Sequence, residues 1–144
     1  MSKLDRYKTA DGDEVVRKGR LDKARDFQLA ASWLRELDTS DGTFSRSSPV
    51  ANAYVVLLIL SGIASADALC IASLRKYSQG DDHRQAVEVL TLAAGRPVAK
   101  HLDTLLGLKT RSEYSATLPT DRDLYSATEA AEALYAAAVR TALL

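Results

Sequence analysis

From Ser47 to Ala66 the chain carries no charged residue for 20 positions, and Asp67 then interrupts an apolar run that resumes through Ala68, Leu69, Cys70, Ile71 and Ala72. A stretch so long and so free of charge has two physical outlets. It crosses a membrane, or it is a helix covered on most sides by other helices. Ser47, Ser48, Pro49, Asn52, Ser61 and Ser65 lie inside it, and together with the acid they favour the covered helix, so no membrane association is expected. At helical spacing Val56, Leu60, Ile63, Asp67, Ile71 and Leu74 share one stripe. A carboxylate on such a stripe is costly unless it is paired or protonated. The fold must supply a partner for Asp67, or the position has chemical work to do.

The remainder of the 144 residues is consistent with one helical domain. Alanine and leucine are abundant and Pro and Gly are sparse, which favours helices. Lys plus Arg equals Asp plus Glu, so the formal net charge is zero and no global field draws in nucleic acid or an anionic surface. The single cysteine, Cys70, excludes a disulfide framework and a cysteine metal cluster, and its place in the apolar run reads as core. Met1 to Arg20 is polar and charged, unlike a secretory signal, and a cytoplasmic setting is expected.

Along the chain, residues 1–20 read as a flexible N-terminal arm and residues 21–144 as a single helical-bundle domain. A first helix is predicted from Leu21 to Leu37 and a polar loop at residues 38–48. A long helix should open at Ser48-Pro49 and run to about Tyr77. Ser61, Ser65, Ala68 and Ala72 form a stripe of small residues on it, suited to close approach of another helix, within the domain or across a dimer. Asp82 and Gln85 are spaced as a capping box for a third helix that Gly95 stops. Pro97 starts a fourth, carrying Val98, Leu102, Leu105 and Leu106, and Lys109 to Asp123 reads as polar. Ser126 and Glu129 are spaced as the capping box of an alanine-rich last helix. The expected fold is all-α, an up-and-down bundle of four or five helices.

Few residues carry obvious chemistry. There is no Gly-rich phosphate loop, no His-Glu-x-x-His and no nucleophile elbow, and His83 and His101 lack the spacing of a metal site. No metal and no cofactor are expected. His83 falls in the first turn of a helix, where it is either a half-buried packing residue or a proton carrier near a ligand. Lys109, Arg111 and Tyr114 form the most suggestive polar cluster, two cations and a phenol able to hold a phosphate, and Asp67 needs a cation that either Lys109 or Arg111 would provide.

Three segments, Ala64-Ser65-Ala66-Asp67-Ala68-Leu69-Cys70, Gly80-Asp81-Asp82-His83-Arg84-Gln85-Ala86-Val87, and Leu105-Leu106-Gly107-Leu108-Lys109 with Tyr114, resemble the HEPN superfamily, in particular its small actinobacterial proteins. The resemblance spans about Phe27 to Leu134 and rests on helix order and diffuse patterns. It implies a helical bundle that forms a homodimer. Many members are metal-independent ribonucleases of toxin–antitoxin or defence systems, and others bind RNA or nucleotides or act as non-catalytic partners of proteins such as nucleotidyltransferases. Catalytic members pair an arginine with a histidine shortly before the last helix. Here Lys109 stands at the arginine position and Tyr114 at the histidine position. Lysine keeps the charge and loses the bidentate fork, and tyrosine is a poor base near neutral pH. His83 or His101 would then supply the base. Arg96 and His101 reproduce the family spacing one helix too early. The resemblance thus implies Lys109, Tyr114 and His83 as catalytic candidates, Lys109 and Arg111 as RNA or nucleotide contacts, and Asp67 in support. The alternative is a non-catalytic module that binds a second copy or a cognate partner protein, with Asp67 in a structural ion pair.

Overall fold

The computed structural model describes residues 2–38, 49–114, 116 and 118–142, without the side chains of Glu113, Tyr114 and Ala142. A 3-10 turn, Lys3–Arg6, leads into β1 (Thr9–Asp11), α1 (Glu14–Asp38), α2 (Ala51–Leu74), β2 (Lys76–Ser78), α3 (His83–Ala94), α4 (Arg96–Tyr114) and α5 (Asp121–Ala142). The fold is the expected all-α bundle, with one small antiparallel sheet at its edge. α2 is central: α1, α3, α4 and α5 all pack on it.

The uncharged run is this central helix. α2 is long and apolar enough to cross a membrane, yet 67% of its most apolar window is buried by the other helices. Its small residues decide how closely those helices approach. Ser61, Ser65 and Ala68 are fully buried, as are Ala24 and Ala31 of α1, and the Ser61 hydroxyl donates to the Ala24 carbonyl at 2.8 Å. Of the two uses expected of the stripe, close approach within the domain is the one seen: Ser61, Ser65 and Ala68 are buried within the chain, and Ser61 bonds to α1. Around the helix from this stripe, Gly62 meets α4 and α5, where an added Cβ would lie 2.2 Å from a methyl of Leu105 and 3.3 Å from one of Leu134. Leu105 and Leu134 are both completely buried.

The N-terminal segment departs from expectation. α1 begins at Glu14, well before Leu21, because the Asp13 carboxylate caps the Val16 N–H at 2.9 Å. Residues 9–11 are not a loose arm but pair with residues 76–78, in the register Thr9 to Ser78, Ala10 to Tyr77 and Asp11 to Lys76. The division at residue 20 therefore falls inside a helix. β2 also shortens the long helix, which ends at Leu74. Arg75 takes a left-handed conformation with φ 60° and its N–H closes on the Ile71 carbonyl.

Local signals account for the other helix ends. Asp82 caps α3 by accepting from the Gln85 N–H at 3.1 Å, but the Gln85 side chain does not close the expected box. It turns to the N-terminal segment, accepting from the Lys8 N–H at 2.8 Å and donating to the Lys8 carbonyl at 2.9 Å. Gly95 ends α3 with φ 90°. α5 starts at Asp121, upstream of the Ser126–Glu129 pair. The box that opens it is Thr120 with Asp123: the Thr120 hydroxyl accepts from the Asp123 N–H, and the Asp123 carboxylate accepts from the Thr120 N–H. Of the polar loop expected at 38–48, Asp38 is the last residue of α1 and the rest lies outside the described residues.

The tightest test of this packing is Gly62→Val. Both leucine neighbours are enclosed, so the substitution is expected to lower unfolding free energy by about 2–3 kcal/mol through overpacking, measured as a shift in urea midpoint at unchanged slope.

Candidate functional site

Asp67 sits on the α2 stripe that the other helices cover least. Val56 and Leu60 on the same stripe are more than a third exposed, while Ile71 is fully buried. Beside Asp67 the stripe forms the floor of a cleft of about 360 Å³. α1 contributes Arg20 to the walls, α4 contributes Leu102, Leu106 and Lys109, and α3 begins at the mouth with His83. The rim is the turn from β2 into α3, including Asp81 and Asp82.

The partner of Asp67 is neither Lys109 nor Arg111. It is Arg20, whose Nε lies 3.7 Å from Asp67 Oδ2. That separation is outside ordinary hydrogen-bond length, so the pair attracts without the bond that would offset burial. The Arg20 guanidinium also lies over the Tyr77 ring, 5.0 Å from its centroid, a cation–π contact that links α1 to β2. Burial pushes the Asp67 carboxyl up to about 7, against the opposing pull of Arg20. One turn on, burial and the Asp67 charge push the Cys70 thiol up to about 12, which makes it a core residue with negligible thiolate.

His83 is the first residue of α3 and its Nε2 lies 2.8 Å from Asp103 Oδ1 on α4. Asp103 does not line the Asp67 cleft, so it holds the ring from outside, and among the described residues Nδ1 has no hydrogen-bond partner. Lys109 lines the cleft and, among the described residues, forms no ion pair. Three sequence candidates, Asp67, His83 and Lys109, thus border one space.

Arg111 does not. α4 continues through the polar residues 109–114 to Tyr114, and the Arg111 Nη2 donates to Asp123 Oδ1 at 2.8 Å at the start of α5. Burial alone would raise the Asp123 carboxyl, but hydrogen bonds from Thr120 and the Arg111 charge hold it below the usual carboxylate range. A phosphate grip shared by Lys109 and Arg111 is therefore not formed. The Tyr114 side chain lies outside what is described. His101 is half-buried on α4 and does not line the cleft. Burial, then the Lys100 charge, holds its imidazole below the ordinary histidine value.

Arg20 and Tyr77 are the site residues that the sequence reading missed. A signal for Arg20 was present: counted backward, the helical stripe through Ala31 and Ala24 reaches position 20. Among the described residues no group of His, Cys, Asp and Glu gathers closely enough to hold a metal ion. The cleft gathers groups capable of proton transfer, and its cations stand against the acidic Asp81 and Asp82 at its rim. It offers a carboxyl that changes charge near neutrality, an oriented imidazole and two cations. No protein-family model, curated protein or solved structure matches this chain.

The Asp67 assignment has a defined pH signature. Its folded value, about 7, lies above the unfolded value of 3.8. The folded state therefore holds the proton more tightly, and this stabilisation is complete below the unfolded value and lost as pH rises through about 7. Asp67→Asn removes the titration. Wild type is expected to lose stability relative to Asp67→Asn between about pH 4 and pH 8, by at most about 4 kcal/mol, in parallel urea titrations. Parallel pH profiles for the two proteins would show that Asp67 titrates normally.

Proposed function

We propose that the protein is a HEPN-like helical bundle that binds RNA or a nucleotide in the Asp67 cleft and cleaves phosphodiesters there without a metal, in a toxin–antitoxin or defence setting. The observation that supports this most is the convergence of Asp67, His83 and Lys109, from α2, α3 and α4, on one cleft that also contains Arg20. Lys109 and Arg20 would hold the phosphate. Asp67, ionised in about half of the molecules near neutral pH by its value of about 7, would accept the ribose 2′-hydroxyl proton as that oxygen bonds to phosphorus. His83 would donate a proton to the departing 5′-oxygen as the phosphorus–oxygen bond breaks. This division of labour replaces the arginine–histidine pair of catalytic HEPN proteins. It puts the base on α2, at Asp67, instead of at His83 or His101.

A second reading treats the bundle as a non-catalytic module, a homodimer or the partner of another protein such as a nucleotidyltransferase. It is favoured by the outward face of α1, where Leu29, Trp33 and Leu37 recur at helical spacing and stand 44%, 61% and 83% exposed. The acidic pair Asp81 and Asp82 at the cleft mouth also opposes an approaching anion. In that reading Arg20 and Asp67 only fix how α1 lies on α2.

Incubation of the protein with mixed cellular RNA in EDTA separates the two. The first reading expects cleavage that survives EDTA and falls at least about a hundredfold in His83→Gln and in Asp67→Asn, with Lys109→Ala weakening RNA binding. Cleavage or binding absent from wild type, or equal in all three variants, would leave the module reading, whose own sign is a concentration-dependent mass in sedimentation.

A further inference from the structure

A second cleft, of about 920 Å³, opens where α1 and α4 begin and where α2, α3 and α5 end. It shares no lining residue with the Asp67 cleft. Its floor is aliphatic, including Leu69, Val98 and Ala137, and around it stand three arginines, Arg17, Arg75 and Arg140, against one carboxylate, Glu14.

The arginines are not equally explained by the fold. Arg75 follows the end of α2 and Arg140 lies in the last turn of α5. A cation there complements the helix dipole, worth about 0.3–1 kcal/mol at an exposed site. Arg17 has no such reason. It lies in the first turn of α1, where the dipole disfavours a cation, and it is only 8% exposed. One edge of its guanidinium is satisfied: Nε and Nη2 both donate to the Glu14 carboxylate. Its Nη1 is buried and, among the described residues, has no acceptor, a state that costs about 1–3 kcal/mol or more for a charged donor. Arg75 and Arg140 form no ion pair among the described residues. Arg75 moreover keeps a long side chain at φ 60°, where glycine would fit with less strain.

We propose that this cleft binds an amphipathic organic anion, a carboxylate on a hydrocarbon body. Arg75 and Arg140 meet the carboxylate with Arg17 Nη1 behind them, and the hydrocarbon lies on Leu69, Val98 and Ala137. Guanidinium forks suit a planar carboxylate, and the aliphatic floor releases water only to an apolar body.

Calorimetric titration of the full chain tests this with three probes: sodium decanoate below its micellar range, decanol, and inorganic phosphate. Decanoate is expected to bind saturably at one site. Decanol lacks the charge and phosphate lacks the body, and each is expected to bind at least about tenfold more weakly. The Arg75→Gly/Arg140→Ala variant is expected to keep its helical circular dichroism, since glycine relieves the positive φ, and to lose decanoate affinity at least about tenfold. The proposal is overturned by any of three results: no decanoate binding to wild type, decanol or phosphate binding as tightly as decanoate, or a folded double variant that binds decanoate like wild type.

Discussion

The pairing of Asp67 with Arg20 is the constraint from which most of the architecture can be read. α2 is covered by four other helices, and a single carboxylate on it needs an opposite charge within a few ångströms. Arg20 reaches it only because α1 starts at Glu14 and lies close along α2. That closeness depends on Ala24, Ala31 and Ser61 having almost no side chain to separate the two axes. The chain leading into α1 is in turn held by the pairing of β1 with β2, and Tyr77 on β2 supplies the ring beneath Arg20. Helix register, strand pairing and the charge on one buried acid are thus a single dependency. The pair remains 3.7 Å apart, so compensation is partial, and the outcome is an acid poised near neutrality rather than a fixed structural anion.

Features written into the sequence locally were legible there. The uncharged run makes a central helix, Asp82 caps α3, and Gly95 ends it, because each depends on residues within a turn of one another. The misplaced boundaries have equally local causes. Asp13 is a cap in a segment too polar to register as helix, and Thr120 with Asp123 forms the box that Ser126 with Glu129 only imitated. Gln85 shows the limit of such patterns. Its spacing from Asp82 is that of a box, but its amide has better partners in Ser78 and in Lys8, the latter distant in sequence.

The candidate site was legible as residue types but not as partners. Asp67 announced itself as needing a cation, yet which cation answers is settled by tertiary packing, and two plausible choices were wrong. The choice of Lys109 with Arg111 failed for a geometric reason. Residues two apart on a helix point about 200° from each other. Once α4 continues through this segment, Lys109 faces the cleft and Arg111 faces α5, where Asp123 takes it. In an irregular segment, without that fixed angle, both could have met one phosphate.

The zero net charge also conceals a local division of the arginines. Arg111 has a carboxylate at hydrogen-bond distance, Arg20 has an acid and an aromatic face, and Arg17 is half satisfied by Glu14. Arg75 and Arg140 line one cleft and form no close ion pair among the described residues, although the Arg75 charge acts on Glu14 at longer range. In the Asp67 cleft the balance depends on a proton. With Asp67 ionised, its charge offsets Arg20 and the cleft is less welcoming to a phosphate. With Asp67 protonated, Arg20 and Lys109 act on a ligand unopposed by it. In the phosphate-binding reading, linkage makes this reciprocal: protonation of Asp67 raises anion affinity, and a bound anion raises the Asp67 value above about 7 by the same free energy. A carboxylate that must give up its proton before it can act as a base is then held protonated by its own substrate. Cleavage would therefore favour the alkaline side of neutrality, while binding favours the acid side.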